Sequence, residues 1–147
     1  MKLSTRTRYG TRALLELALH KGEGPVFLKD IARQQQLSLS YLEHLVTPLI
    51  SGGIIRSIKG PKGGVVLAKK PGDIKMIDIA LLLEGSLAPV ECIDNPDICE
   101  RSAQCVTRDI WGEVKEAMDG VLEKTTLQDL VERQKKKGLP ESSMYYI

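Results

Sequence analysis

The strongest constraint on the fold is a change of pattern near residue 54. Upstream of it, apolar residues recur at three- and four-residue spacing, the signature of amphipathic helices. Downstream, Ile54-Ile55-Arg56-Ser57-Ile58 and Val65-Val66-Leu67-Ala68 are β-branched runs of strand length. Between the runs lies Lys59-Gly60-Pro61-Lys62-Gly63-Gly64, a basic turn with three glycines, so the two strands are expected to form a hairpin. Three helices lead into it. Tyr9, Ala13, Leu14, Leu17 and Ala18 share one face of the first, which Ser4 or Thr5 can cap and Gly22-Glu23-Gly24-Pro25 ends. Leu28, Ile31 and Ala32 mark a second helix that ends near Gln36, and Leu42, Leu45, Val46 and Leu49 stripe a third that stops at Gly52-Gly53. Two helices joined by a tight turn at Leu37 and followed by a hairpin make a winged helix-turn-helix.

In such a unit the second helix of the pair enters the major groove of DNA with its N-terminal residues at base edges. That assigns Ser38, Ser40, Tyr41, Glu43 and His44 to the groove. Ser38 is also a candidate cap, and Ser40-Tyr41-Leu42-Glu43 fits a capping box, so Glu43 has two readings: a cap, or an acceptor for a cytosine amino group. His44 reads as a base or phosphate contact, because no second His or Cys lies nearby in sequence. Pro48 removes an N–H from the third helix and is expected to bend or loosen it after two turns. In the turn, Gly60 lets the backbone approach DNA while Lys59 and Lys62 supply charge, as a wing requires; a plain hairpin with solvated lysines is the alternative. Lys2, Ser4, Thr5, Arg6 and Arg8 can add phosphate contacts.

Charge favours the wing. The chain carries a net charge of only +2 over 147 residues, but residues 1–70 hold 12 Lys and Arg against 4 Asp and Glu, and residues 71–147 hold 9 against 15. A net of +8 followed by −6 suggests a polyanion-binding module joined to a part that binds none.

The second half breaks at Pro71-Gly72. A helix striped by Ile74, Ile77, Ala80, Leu81 and Leu83 runs to Gly85, and residues 86–104 show little periodicity. A long helix over about 107–124 follows, its apolar stripe formed by Ile110, Trp111, Val114, Met118, Val121 and Leu122. That stripe is wide enough to pack on its own domain and on a partner. Thr126 restarts the chain into a last helix ending near Lys137. The expected division is a winged helix-turn-helix domain over 1–72, a cysteine loop with dimerisation helices over 73–137, and a mobile tail over 138–147. The fold class is mainly α with a small β-hairpin and a long dimerisation helix.

All three cysteines lie in the loop, as Cys92-x6-Cys99-x5-Cys105. Zinc fingers use closer pairs and four ligands, so zinc fits poorly. An iron–sulfur cluster tolerates wider thiolate spacing but needs a fourth ligand that is not cysteine here. Such a cluster suits a sensor; three unrelated reduced thiols are the alternative. An odd cysteine count argues against a disulfide framework. No apolar run approaches the ~20 residues of a membrane span, and the N-terminal residues contain no apolar signal core, so a cytoplasmic protein with no membrane partner is expected. An enzyme is not expected: His20 and His44 fall on different helices, no phosphate loop occurs, and the thiols have no base partner in sequence. An interaction protein that docks through the acidic half is the remaining class; it leaves the basic half and the wing without a role.

Several stretches together resemble the Rrf2 family of bacterial transcription regulators, and most closely its iron–sulfur cluster regulators. They are Leu3-Ser4-Thr5-Arg6-Thr7-Arg8-Tyr9-Gly10, Ile31-Ala32, Leu39-Ser40-Tyr41-Leu42-Glu43, the turn 59–64, Cys105-Val106-Thr107-Arg108-Asp109-Ile110-Trp111 and Thr126-Leu127. The resemblance implies a homodimer on double-stranded DNA, with the helix after Cys105 crossing its partner. It implies that Ser40, Tyr41 and Glu43 lie at the groove and Lys59 at the minor groove. It further implies that Cys92, Cys99 and Cys105 hold an iron–sulfur cluster, 2Fe–2S in preference to 4Fe–4S. The chain departs from the pattern at Arg108, where the cluster regulators place a histidine ligand, and at Arg8, where nitric-oxide-sensing relatives place an acid. Arginine does not deprotonate to bind iron, so neither position supplies the fourth ligand. Glu91, Asp94, Asp97, Glu100 and Asp109 are the oxygen donors nearby. A thiol-based redox or metal-responsive DNA-binding regulator without a cluster is the second reading.

Overall fold

The structure, a computed structural model, describes residues 2–138. Ser4 starts the first helix, α1 (Thr5–Leu19), its hydroxyl accepting from the Thr7 N–H. After a turn through Gly22 and Gly24 come α2 (Leu28–Gln35) and α3 (Leu39–Ser51). Gln36 takes the left-handed conformation that lets the chain reverse between these two helices. The hairpin is β1 (Ile55–Ile58) paired antiparallel with β2 (Gly64–Leu67), in a register that sets Ile55 opposite Leu67 and Ile58 opposite Gly64.

Val26, a short extended piece in the sequence, adds a further rung to this sheet. Its N–H and C=O exchange hydrogen bonds with Val65 at 3.0 and 2.8 Å. Gly64 makes that approach possible: its φ is +150°, and a Cβ there would overlap the Val26 carbonyl. The base of the hairpin is therefore held to the segment entering α2.

Beyond the hairpin come α4 (Met76–Glu84), the short α5 (Glu91–Asp94), α6 (Val106–Lys124) and α7 (Leu127–Lys137). Residues 86–104 contain α5 and two 3-10 turns, Pro96–Ile98 and Ser102–Gln104. A capping box starts α7: Thr126 accepts from the Asp129 N–H, and Asp129 accepts from the Thr126 N–H. The chain then returns to the first half. Met76 and Leu127 donate backbone N–H groups to Thr125 and Ile74, and Leu127 and Val131 enter the same core as Leu14, Ile31, Leu45 and Leu49. Ile79 and Leu83 join it from α4. One core thus spans the hairpin, the three first helices, α4 and α7. The expected tail over 138–147 lies, apart from Gly138, outside the described residues.

One local expectation changes. The capping box that would start at Ser40 does not form, because α3 already begins at Leu39. Ser38 is the cap, accepting from Tyr41 N–H at 3.1 Å, which leaves Glu43 exposed and free for other contacts. α3 continues past Pro48 to Ser51. Half-exposed Pro48 loses one N–H donor, and the Thr47 hydroxyl donates to the neighbouring Glu43 carbonyl at 2.9 Å.

A carboxylate from α4 closes the start of α1. Glu84 accepts from the Ser4 N–H and the buried Thr7 hydroxyl, each at 2.6 Å. Its partial burial would raise its pKa. The hydrogen bonds from Thr7 and Ser4, with the nearby Arg6 charge, outweigh that and hold the carboxyl below its ordinary value. The unfolded chain therefore binds the proton more readily. Stability from this contact is complete above the ordinary glutamate value of 4.5 and is lost as pH falls through the lower folded value. Thermal melts below that pH are expected to decline more steeply for wild type than for Glu84→Gln; parallel declines would remove the contact from the acid response.

Candidate nucleic-acid interface and cysteine loop

Ser38, Ser40, Glu43 and His44 are all exposed on the first two turns of α3. Ser38 spends its hydroxyl on the cap; Ser40, Glu43 and His44 stand clear of the core. Tyr41 is placed differently. Its ring is half-buried and packs edge-on against Tyr9, with ring centres 6.4 Å apart. Its hydroxyl donates to Thr5 Oγ1 at 3.3 Å. The start of α3 is thus tied to the start of α1. Arg8 and Arg12 stand over the Tyr9 ring at 5.8 and 5.3 Å, and Arg12 also donates to Gln35 on α2 at 2.8 Å. Arg8 and Arg12 therefore set positive charge beside the ring that braces the start of α3.

Lys59, Gly60 and Lys62 are exposed at the tip of the hairpin, and Gly60 has φ +111°. Among the described residues neither lysine is in an ion pair. Two unpaired cations on a tight turn leave the charge available to a phosphate backbone.

Cys92 lies in α5, Cys99 follows the Pro96–Ile98 turn, and Cys105 joins the Ser102–Gln104 turn to the start of α6. All are free thiols. The Cys105 thiol is held below its ordinary pKa by the Thr107 hydroxyl, 3.1 Å away, and by the Arg108 N–H at the start of α6. Among the described residues no three His, Cys, Asp or Glu side chains converge on one point. Donor chemistry nonetheless fits a cluster. Three soft thiols share one segment, the pKa of one is lowered by its hydrogen bonds, and Ser102 between Cys99 and Cys105 buries a hydroxyl that has no partner among the described residues. Arg108 is occupied structurally: its Nε donates to the Cys92 carbonyl at 3.0 Å, tying α5 to α6.

No residue of α6 is fully buried. Its apolar residues split into two stripes. Met118 and Leu122 pack on Ile77, Ala80 and Leu87, while Val106, Ile110, Trp111 and Val121 stay 77%, 47%, 37% and 62% exposed. Among the described residues no helix is long and apolar enough to cross a membrane.

A helix pair with an exposed reading end, a glycine-rich basic hairpin and a long trailing helix define a winged-helix DNA-binding transcription regulator. The chain belongs to the Rrf2 family: the family model described as "Iron-dependent Transcriptional regulator" matches residues 3–133. It is 49% identical over 131 residues to the protein rrf2 of Nitratidesulfovibrio vulgaris, covering 89% of this chain and 87% of that one. It is 41% identical to the HTH-type transcriptional regulator CymR of Bacillus subtilis over the full length of both. The solved structure of that protein, described as the global cysteine regulator, aligns with a TM-score of 0.77 over 91% of this chain and 98% of its own. IscR of T. potens aligns at 0.78, with 39% identity, over 99% and 97%. These regulators are not enzymes, and this chain is a DNA-binding transcription regulator of their type.

Proposed function

We propose that this regulator is a cytoplasmic homodimer that reads duplex DNA through α3 and the hairpin, with its affinity set by an iron–sulfur cluster on the loop 92–105. The division of labour follows the chain: residues 1–72 bind DNA, and residues 73–137 hold the cysteines and dimerise. The observation that carries the sensor reading is the gathering of all three thiols into one short segment that leads directly into α6. Cys92, Cys99 and Cys105 would hold the cluster, which supplies a link sensitive to iron supply, oxygen or redox state. Since the thiols do not converge as the loop stands, holding one group between them requires the loop to change shape. That change can alter DNA affinity only if the two loop arrangements favour different positions of the reading elements. Ser40, Glu43 and His44 face the groove, Tyr41 buttresses them from α1, and Lys59, Gly60 and Lys62 meet the backbone.

A second reading, a thiol-responsive regulator without a cluster, is favoured by Cys105, whose thiol is biased toward thiolate at a helix start. Iron and sulfide per chain, measured with visible absorption after anaerobic reconstitution, separate the two. Iron and sulfide together support the cluster; neither bound, or zinc bound in preference, supports the thiol reading.

For the wing, Lys59→Ala and Lys62→Ala together are expected to weaken duplex binding and to lower the salt slope by about one per lost phosphate contact. Anisotropy titrations across a salt series measure both. Unchanged affinity and slope would remove the hairpin from the interface.

A further inference from the structure

We infer that Glu84 is the positioning residue that fixes the DNA-facing ends of α1 and α3 to the segment carrying the cysteines. The inference rests on the DNA-binding reading above.

Three consecutive residues at the end of α4 make separate contacts with the winged-helix part. Leu82 closes on Gly52 at the end of α3, where an added Cβ would lie 2.5 Å from its Cδ1. Leu83 closes on Gly10 in α1 at the same notional distance. A side chain at either glycine would displace a leucine tip, so α4 packs directly on the backbone of both helices through these two leucines. Glu84 then accepts from Ser4 and Thr7 in the first turn of α1. Between those two residues, Thr5 accepts from the hydroxyl of Tyr41 in the first turn of α3. Glu84 therefore holds the turn of α1 that holds the start of the reading helix.

The other side of Glu84 leads to the cysteines. Gly85 ends α4 at φ +86°, and the Ser86 hydroxyl donates to Asp94, the last residue of the helix that carries Cys92. Arg108 binds the Cys92 carbonyl from α6. The Ser86–Asp94 bond thus joins α5 to the chain two residues after Glu84.

The test is a double-mutant cycle of Glu84→Ala and Tyr41→Phe in the full chain, read as affinity for a duplex selected by the wild-type protein. Amide exchange is read in parallel without DNA. Glu84→Ala is expected to weaken binding about tenfold, the scale of losing charge-assisted hydrogen bonds. Glu84→Gln, which keeps an acceptor oxygen, should recover part of that loss. The double variant should bind no more weakly than the weaker single one, because both act on the same turn. Exchange should accelerate at Ser4, Thr7 and Arg8 in Glu84→Ala while the core amides stay protected. Additive effects on DNA, or unchanged exchange at those three amides, would overturn the inference. Failure of the wild-type protein to bind any duplex would instead sink the DNA reading, and exchange would still decide whether Glu84 positions α1.

Discussion

Ile110→Glu together with Val121→Glu is expected to convert the proposed dimer into monomers and to weaken duplex binding by about two orders of magnitude, the scale set by losing a linked second half-site. Both side chains are largely exposed on one protomer, so the substitutions remove little from its own core. In a two-fold interface each substitution occurs twice, and four carboxylates would have to be desolvated or repel one another. Met118 and Leu122 pack on α4 and Leu87 and are left intact, so the helix keeps its seat on its own protomer. Sedimentation and far-UV circular dichroism of the double variant check both halves of the expectation. A folded variant that still sediments as a dimer would show that α6 is not the interface.

The second large effect falls on the loop. Replacing any one of Cys92, Cys99 and Cys105 by alanine is expected to remove most of the bound iron and the visible absorption, since two thiolates hold a cluster poorly. Arg108→His acts in the opposite direction: it places a nitrogen donor near the start of α6 and should change the spectrum or slow iron loss. It also cuts the Arg108 bond to the Cys92 carbonyl, so the loop should loosen in the iron-free protein. Full colour in all three alanine variants would exclude these thiols as ligands.

Local pattern explains why the first half of the fold was legible in the residues. Leu42, Leu45, Val46 and Leu49 repeat at helical spacing and are all buried, and the turn 59–64 could only reverse the chain. The start of α3 was harder to read, because Ser38 and Ser40 are both competent caps and the choice depends on how α2 turns into α3. Pro48 is held inside α3 because Leu42, Leu45, Val46 and Leu49 bury the opposite face, a tertiary support that helix propensity does not register. The exposed stripe of α6 was visible as a surplus of apolar residues, but not its partition between Leu122, packed inward, and Val121, left outside. Least legible were the contacts across long sequence separation. Nothing in the residues around Glu84 announces Ser4 or Thr7, some 80 residues away, and Val26 carries no sign of pairing with Val65. The positions of the cysteines could be read directly, but their relative placement depends on three short elements whose periods are too brief to leave a pattern.

The most direct test of control by the cysteine loop is the affinity of one protein preparation for one duplex in two states. Half is reconstituted anaerobically with iron and sulfide, and half is stripped of iron and kept reduced, with both titrated at the same series of salt concentrations. The expected result is bound iron and sulfide in the first half and an affinity that differs by about tenfold or more between the halves, the usual scale of a coupling free energy. The difference should vanish in the triple Cys92→Ala, Cys99→Ala, Cys105→Ala variant. Equal affinity of the two wild-type halves, with iron and sulfide demonstrably bound in one of them, would contradict control of DNA binding by the cluster.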